Sequence, residues 1–151
     1  MAEIAREADV AEKTVFNYFP TKEDLFYNRM ESFEEELLAT IRDRGPGVSV
    51  LEAFRRFIDQ PRGMLAEPRR DEARERLARI TRVIAQSPAL QAREQQVLRR
   101  YTESLAALIA EDTGAAPDDV RPSVAANALM GIHRSLIEFV RTRTLIGGDD
   151  P

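Results

Sequence analysis

Cysteine is absent and histidine occurs once, at position 133. Without a thiol there is no disulfide, no thiolate metal site and no cysteine nucleophile, and a single imidazole cannot assemble a histidine cluster. No run approaches the roughly 18 apolar residues needed to cross a bilayer. Met1 to Ala8 mixes small, apolar and charged types without the hydrophobic block of a secretory leader, so a cytoplasmic location with no membrane partner is expected. A surplus of positive charge is lacking too. The 22 Lys and Arg stand against 26 Asp and Glu, a formal net charge of −4, which argues against a protein that coats nucleic acid without specificity. Even Met1 to Met30 is slightly acidic, with Arg6, Lys13, Lys22 and Arg29 set against Glu3, Glu7, Asp9, Glu12, Glu23 and Asp24. Any contact with nucleic acid must therefore rest on geometry and particular side chains. Catalysis has little support: the carboxylates are scattered over helix faces, no serine has an identifiable base partner, and no glycine-rich phosphate loop or metal motif occurs. No enzyme activity, cofactor or metal is expected.

What is present is an ordinary globular balance, 43% hydrophobic and 32% charged over 151 residues, enough for one sizeable core or a small module joined to a larger one. The breakers fall at the corners of an all-helical chain: Pro20, Gly45-Pro46-Gly47, Pro61 to Gly63, Pro68, Pro88, Gly114 to Pro117, Pro122 and Gly147-Gly148. Between them the apolar spacing is helical and no strand or repeat emerges. Thr21 to Arg44 reads as one helix that opens on a capping box and carries Leu25, Phe26, Met30, Phe33, Leu37, Leu38 and Ile41 on one stripe. Ser49 to Glu52 forms a second box, ahead of Val50, Phe54, Phe57 and Ile58. Asp71 is placed to cap a helix with Ala73, Leu77, Ile80, Val83 and Ile84. Ser87-Pro88 starts the next, with Leu90, Val97, Leu98, Tyr101, Leu105, Leu108 and Ile109. The last helix runs from about Pro122 to Leu145, with Val124, Ala128, Leu129, Ile132, Leu136, Phe139 and Val140.

The most informative stretch comes first. Ala2 to Ala8 and Glu12 to Phe19 read as two short helices joined by the turn Asp9-Val10-Ala11, a helix-turn-helix pattern. Ile4, Ala8, Val10, Val15, Phe19 and Leu25 are able to meet in a miniature core, Phe16 is expected to be buried with Val15 and Phe19, and the small Ala5 and Ala8 allow a close crossing. From Ile4 to Leu25 the residues fit I-A-x-x-A-x-V-x-x-x-T-[LV]-[FY]-x-[YH]-F-x-x-K-[ED]-x-L, and in this the chain resembles the TetR family of one-component regulators. Ser87-Pro88-Ala89-Leu90 and Pro117 to Pro122 are similar, more weakly, to actinobacterial members. The resemblance implies an all-α protein: residues 1–44 as the DNA-binding domain, with 21–44 as its linking helix, and 45–151 as a helical ligand-binding and dimerisation domain. The family has a helix ahead of this motif, so the first helix of the DNA-binding domain is expected to be missing here.

By the same resemblance, Glu12 to Phe19 is the recognition helix. Lys13 and Thr14 would reach phosphates or base edges, Asn17 would pair with adenine, Tyr18 would pack on sugar-phosphate or a thymine methyl, and Lys22 would clamp a phosphate. Three positions depart from the family pattern: Asp9 where Gly is common, Ala11 where Ser usually caps, and Phe16 where Tyr is frequent. A small, mostly apolar effector is implied in the body, with Phe54, Phe57, Met64, Ile80, Ile84, Tyr101, Leu105, Met130 and His133 as candidate lining and Pro61 to Met64 as an openable wall. Ala125, Ala128, Gly131, Ile132, Ser135 and Phe139 are the candidates for a homodimer contact, since a mid-helix Gly costs up to about 1 kcal/mol against Ala unless another helix approaches. The expected function is a ligand-responsive repressor that binds palindromic double-stranded operator DNA as a homodimer and is released by its effector. The alternative is a helical small-molecule-binding or interaction protein with degenerate DNA binding.

Overall fold

Side-chain caps set where three of the helices begin. The computed structural model describes residues 1–28, 30–61 and 70–146, all helix and connecting turn, with no strand among the described residues. The helices are α1 (Ala2–Glu7), α2 (Glu12–Tyr18), α3 (Lys22–Tyr27), α4 (Met30–Arg42), α5 (Val50–Asp59), α6 (Arg70–Ala85), α7 (Pro88–Thr113) and α8 (Arg121–Ile146). Met64, the Met30 side chain and the breakers Gly63, Pro68, Gly147 and Gly148 lie outside the described residues, as does the expected wall from residue 62 onward.

Thr21 makes a complete capping box: its hydroxyl accepts the Asp24 N–H at 3.1 Å, and the Asp24 carboxylate accepts the Thr21 N–H at 2.9 Å. Ser49 supplies only half of the expected second box. It accepts the Glu52 N–H at 3.1 Å, while the Glu52 carboxylate turns to Arg56 at 2.9 Å. Ser87 accepts the Leu90 N–H at 3.3 Å with Pro88 at the start of α7, where a missing N–H costs nothing. Asp71 is not a cap. α6 begins at Arg70, which leaves Asp71 in the first turn, where its charge still suits the helix dipole.

The single helix expected over 21–44 is two, α3 and α4, with Asn28 ending α3. The cause is tertiary. Tyr27 is buried with Ile84 and Leu90, with Ile80 packed beside them, whereas Leu37 and Ile41 enter the main core, so the two segments aim at different targets. Phe26 is left exposed.

The main core gathers Leu37 and Ile41 of α4, Phe54 and Phe57 of α5, Val97, Leu98, Tyr101 and Leu105 of α7, and Leu129 and Met130 of α8. Phe33 sits against Phe57 edge-on at 5.1 Å and stacks on Tyr101 at 5.7 Å and on His133 at 4.6 Å. Truncating Phe57 or Tyr101, both fully enclosed, should cost about 3–5 kcal/mol. The pair Arg141–Glu94, joined by two hydrogen bonds at 3.0 and 2.5 Å, ties the end of α8 to the start of α7, as an antiparallel hairpin requires. Val83, counted on the inward stripe of α6, faces solvent. No helix among the described residues is long and apolar enough to cross a membrane.

Candidate nucleic-acid interface

α1 ends through its backbone. Asp9 adopts a left-handed conformation (φ 52°), its N–H donates to the Arg6 carbonyl at 3.2 Å, and the Val10 N–H donates to the Ala5 carbonyl at 3.0 Å. This pair of bonds is the Schellman closure, in which the left-handed position is usually Gly. α7 ends in the same way with Gly114 (φ 61°), whose N–H reaches Glu111 while that of Ala115 reaches Ala110. α2 then starts at Ala11, which gives it no side-chain cap.

Ala5 of α1 and Val15 of α2 are buried where the two helices meet, and Phe19 and Leu25 are half-buried. Ile4, Ala8 and Val10 are exposed instead of joining the miniature core, and Phe16 is 45% exposed instead of buried. Two helices of six and seven residues cover only the stripe along which they cross. Burying the remaining apolar positions would take a third layer, which the described residues do not put there.

That crossing turns the opposite side of α2 outward. At about 100° per residue, Lys13, Asn17, Thr14 and Tyr18 span an arc of about 140°, with Val15 beyond its edge. All four are exposed, Tyr18 at 75%. Lys22, the first residue of α3, is also exposed, and its Nζ lies 3.9 Å from a Glu23 carboxylate oxygen. All five residues named from sequence are exposed.

α3 is fastened to α7. One Asp24 oxygen takes the Thr21 N–H and hydroxyl, and the other meets Arg93 at 2.7 Å. The Thr21 hydroxyl, with Arg93 acting in the same sense, holds the Asp24 carboxyl below its ordinary range despite burial. Asp24 therefore caps a helix and docks it at once. The docking, together with Tyr27 and Arg93, was not legible in the sequence, because the partners are some seventy positions apart and no local pattern links them.

The candidate effector residues separate. Phe54, Phe57, Tyr101, Leu105 and Met130 pack together in the main core, while Ile80 and Ile84 belong with Tyr27 and Leu90. His133 flanks the main core on Phe33, and burial pushes its imidazole down to about 4. Of the candidates for a subunit contact, Ala128, Gly131, Ile132, Ser135 and Phe139 are exposed along α8, and Ala125 is half-buried. A Cβ built on Gly131 meets nothing within 4 Å, so nothing around it in the described chain requires a glycine there. No group of three or more His, Asp or Glu among the described residues could hold a metal ion.

Residues 1–27 match the family model described as bacterial regulatory proteins, tetR family, and residues 48–144 match the one described as MftR C-terminal domain. Comparison with curated proteins and with solved structures found no match.

Proposed function

Because the chain belongs to the TetR family of bacterial regulators, we propose that it is a ligand-responsive repressor that reads palindromic operator DNA as a homodimer. Membership makes it a transcriptional regulator with a DNA-binding N-terminus, in a family that is generally non-enzymatic. The observation that carries the finer reading is the exposure of Lys13, Thr14, Asn17 and Tyr18 on one arc of α2, with Lys22 exposed at the start of α3. A helix of this kind enters the major groove by its N-terminal part. Lys13 and Thr14 then meet phosphates or base edges, Asn17 pairs with adenine, Tyr18 packs on the sugar-phosphate, and Lys22 holds a phosphate without regard to sequence.

A twofold pair formed through α8 would present two such helices to successive major grooves about one DNA turn apart. The effector, small and mostly apolar, is taken up in the body among Phe54, Phe57, Tyr101, Leu105, Met130 and His133. Since these side chains are packed, it must stabilise a form in which they part, and it needs only differential affinity for that form, typically about 1–3 kcal/mol. The shift reaches the reader through α3 and α4 and through Asp24–Arg93. The second reading, degenerate DNA binding, draws on the uncapped start of α2 and the left-handed Asp9.

A mobility shift on the DNA upstream of the gene, run over a range of salt, decides between the two. A repressor loses affinity steeply as salt rises. Lys22→Ala should weaken binding to every sequence and lower the salt slope by about 1, while Asn17→Ala should also relax preference at one base pair by about 1–3 kcal/mol. Unchanged binding by both variants refutes the assignment.

A further inference from the structure

Phe33 occupies a slot built from other rings. Phe57 meets it edge-on at 5.1 Å, while Tyr101 and His133 lie nearly parallel to it, at 5.7 Å and 26° and at 4.6 Å and 20°. All three spacings fall in the range of about 4.5–7 Å that aromatic pairs prefer. The rings differ in depth. Phe57 and Tyr101 are enclosed, at 0% and 1% exposure, whereas Phe33 and His133 are half-buried. Phe33 is thus an outer ring over an enclosed floor, and its withdrawal opens the way to Phe57 and Tyr101. The slot is also neutral, because burial pushes the His133 imidazole down to about 4 and leaves it uncharged at working pH.

The rings come from different parts of the chain. Phe57, Tyr101 and His133 belong to α5, α7 and α8, but Phe33 belongs to α4, the helix that follows the reader's α3. The next residue, Glu34, clasps this end of α4 to α7. Its carboxylate accepts the Arg100 Nε–H at 2.9 Å and the Ser104 hydroxyl at 2.7 Å, and the Arg100 guanidinium lies over the Tyr101 ring, 5.7 Å from its centroid. The far end of α4 is anchored separately. Leu37 and Ile41 are buried in the main core, and Arg44 donates to the Ile41 carbonyl at 2.7 Å and pairs with Asp112 of α7. Withdrawal of Phe33 therefore moves the reader-side end of α4 about an end that stays fixed.

We propose that Phe33 is a built-in occupant of this slot, and that a small, neutral, flat aromatic molecule takes its place against Phe57, Tyr101 and His133. An entering ring remakes the contacts that Phe33 gives up, and the side chain it displaces is one already half-exposed. A saturated ring is thicker and has no π-face to stack. The proposal rests on the effector reading above and names both the class of molecule and the side chain that parts to admit it. The consequence for operator affinity, though not the binding, rests on the DNA reading as well.

His133 is the sole histidine, so its ring signals can be followed without assignment in an NMR titration of the full chain. Phenol is the probe, with cyclohexanol as its saturated and benzoate as its charged counterpart. Phenol should shift the His133 signals saturably and speed amide exchange in the first turns of α4, and each counterpart should bind at least about tenfold more weakly. Phe33→Ala should bind phenol at least about tenfold more tightly than the unaltered chain, since no ring has to leave first. Phe33→Leu, which keeps bulk without a flat ring, takes its place if that variant does not fold, with a several-fold gain. Glu34→Gln, which loosens the clasp without touching the slot, should also bind phenol several-fold more tightly, whereas Glu35→Gln on the exposed side should not. A His133 ring that ignores phenol in the unaltered chain overturns the proposal even if Phe33→Ala responds, because a truncated core then only fills its own hole. Cyclohexanol or benzoate bound as tightly as phenol overturns it too, as does a phenol affinity that neither the Phe33 nor the Glu34 variants raise. That last result would leave an effector position in the core without Phe33 as its occupant, while silence in every variant would remove both. The titration contains no DNA, so the operator reading stands or falls separately on the mobility shift.

Discussion

His133 stands at the meeting of packing and titration. Its ring stacks on Phe33 at 4.6 Å, and burial lowers its pKa from 6.5 to about 4. Between those two values the unfolded chain binds a proton that the folded chain refuses, so folding stability falls as pH drops from about 6.5 toward 4 and gains nothing above that window. The slope is at most about 1.4 kcal/mol per pH unit. Urea unfolding at pH 7.5 and at pH 5 should show the loss, and His133→Gln should flatten it, because this is the sole histidine and the Asp24 carboxyl titrates lower still. A slope unchanged in the variant would assign the acid sensitivity elsewhere. Sequence placed His133 on a helix among small residues. It could not place it on Phe33, a hundred positions away, and so could not foresee the lowered pKa.

Helix ends were the most legible part of the chain, since a cap is a local pattern. Thr21 with Asp24, Ser49 with Glu52, and Ser87-Pro88 all begin helices where their spacing says they should. What failed was what tertiary packing decides: the break between α3 and α4, and the burial of Ile4, Ala8, Val10 and Phe16, which two short crossed helices do not achieve. The two Schellman ends permit a sharper statement. Asp9 and Gly114 have nearly the same φ, but only Asp9 carries a Cβ penalty in that conformation. Asp9→Gly should therefore stabilise the helix-turn-helix by roughly 0.5–1 kcal/mol, read as slower amide exchange in α1 and α2. Gly114→Ala is the control. A Cβ there meets nothing within 4 Å, so its loss, about 1 kcal/mol in urea, comes from the backbone conformation alone. Unaltered exchange in Asp9→Gly would mean that the Asp side chain compensates the strain.

At the scale of the molecule, one face of α8 is left exposed by the described residues. Val124, Ile132, Leu136 and Phe139, with Ala128, Gly131 and Ser135 among them, recur at helical spacing along α8, and Phe139 is 58% exposed. A contiguous apolar stripe of this length is unusual on a monomer and points to an interface. The family resemblance supplied the idea of a symmetric mate; what the protomer adds is that Gly131 has no neighbour of its own to accommodate. This gives Gly131→Ala opposite effects in two states. In a lone protomer it should raise stability by up to about 1 kcal/mol, because Ala favours helix over Gly. In a dimer whose helices cross at Gly131 the added methyl must displace the mate, so the gain shrinks or reverses as protein concentration rises. Phe139→Glu, which places a charge in the same stripe, should halve the mass measured by sedimentation at micromolar concentration and remove operator binding with it, since one reader then contacts only a half-site. If Phe139→Glu kept the mass of two protomers, the copies would have to meet through a face other than α8, and the same gain from Gly131→Ala at every concentration would mean a lone protomer or a contact away from Gly131.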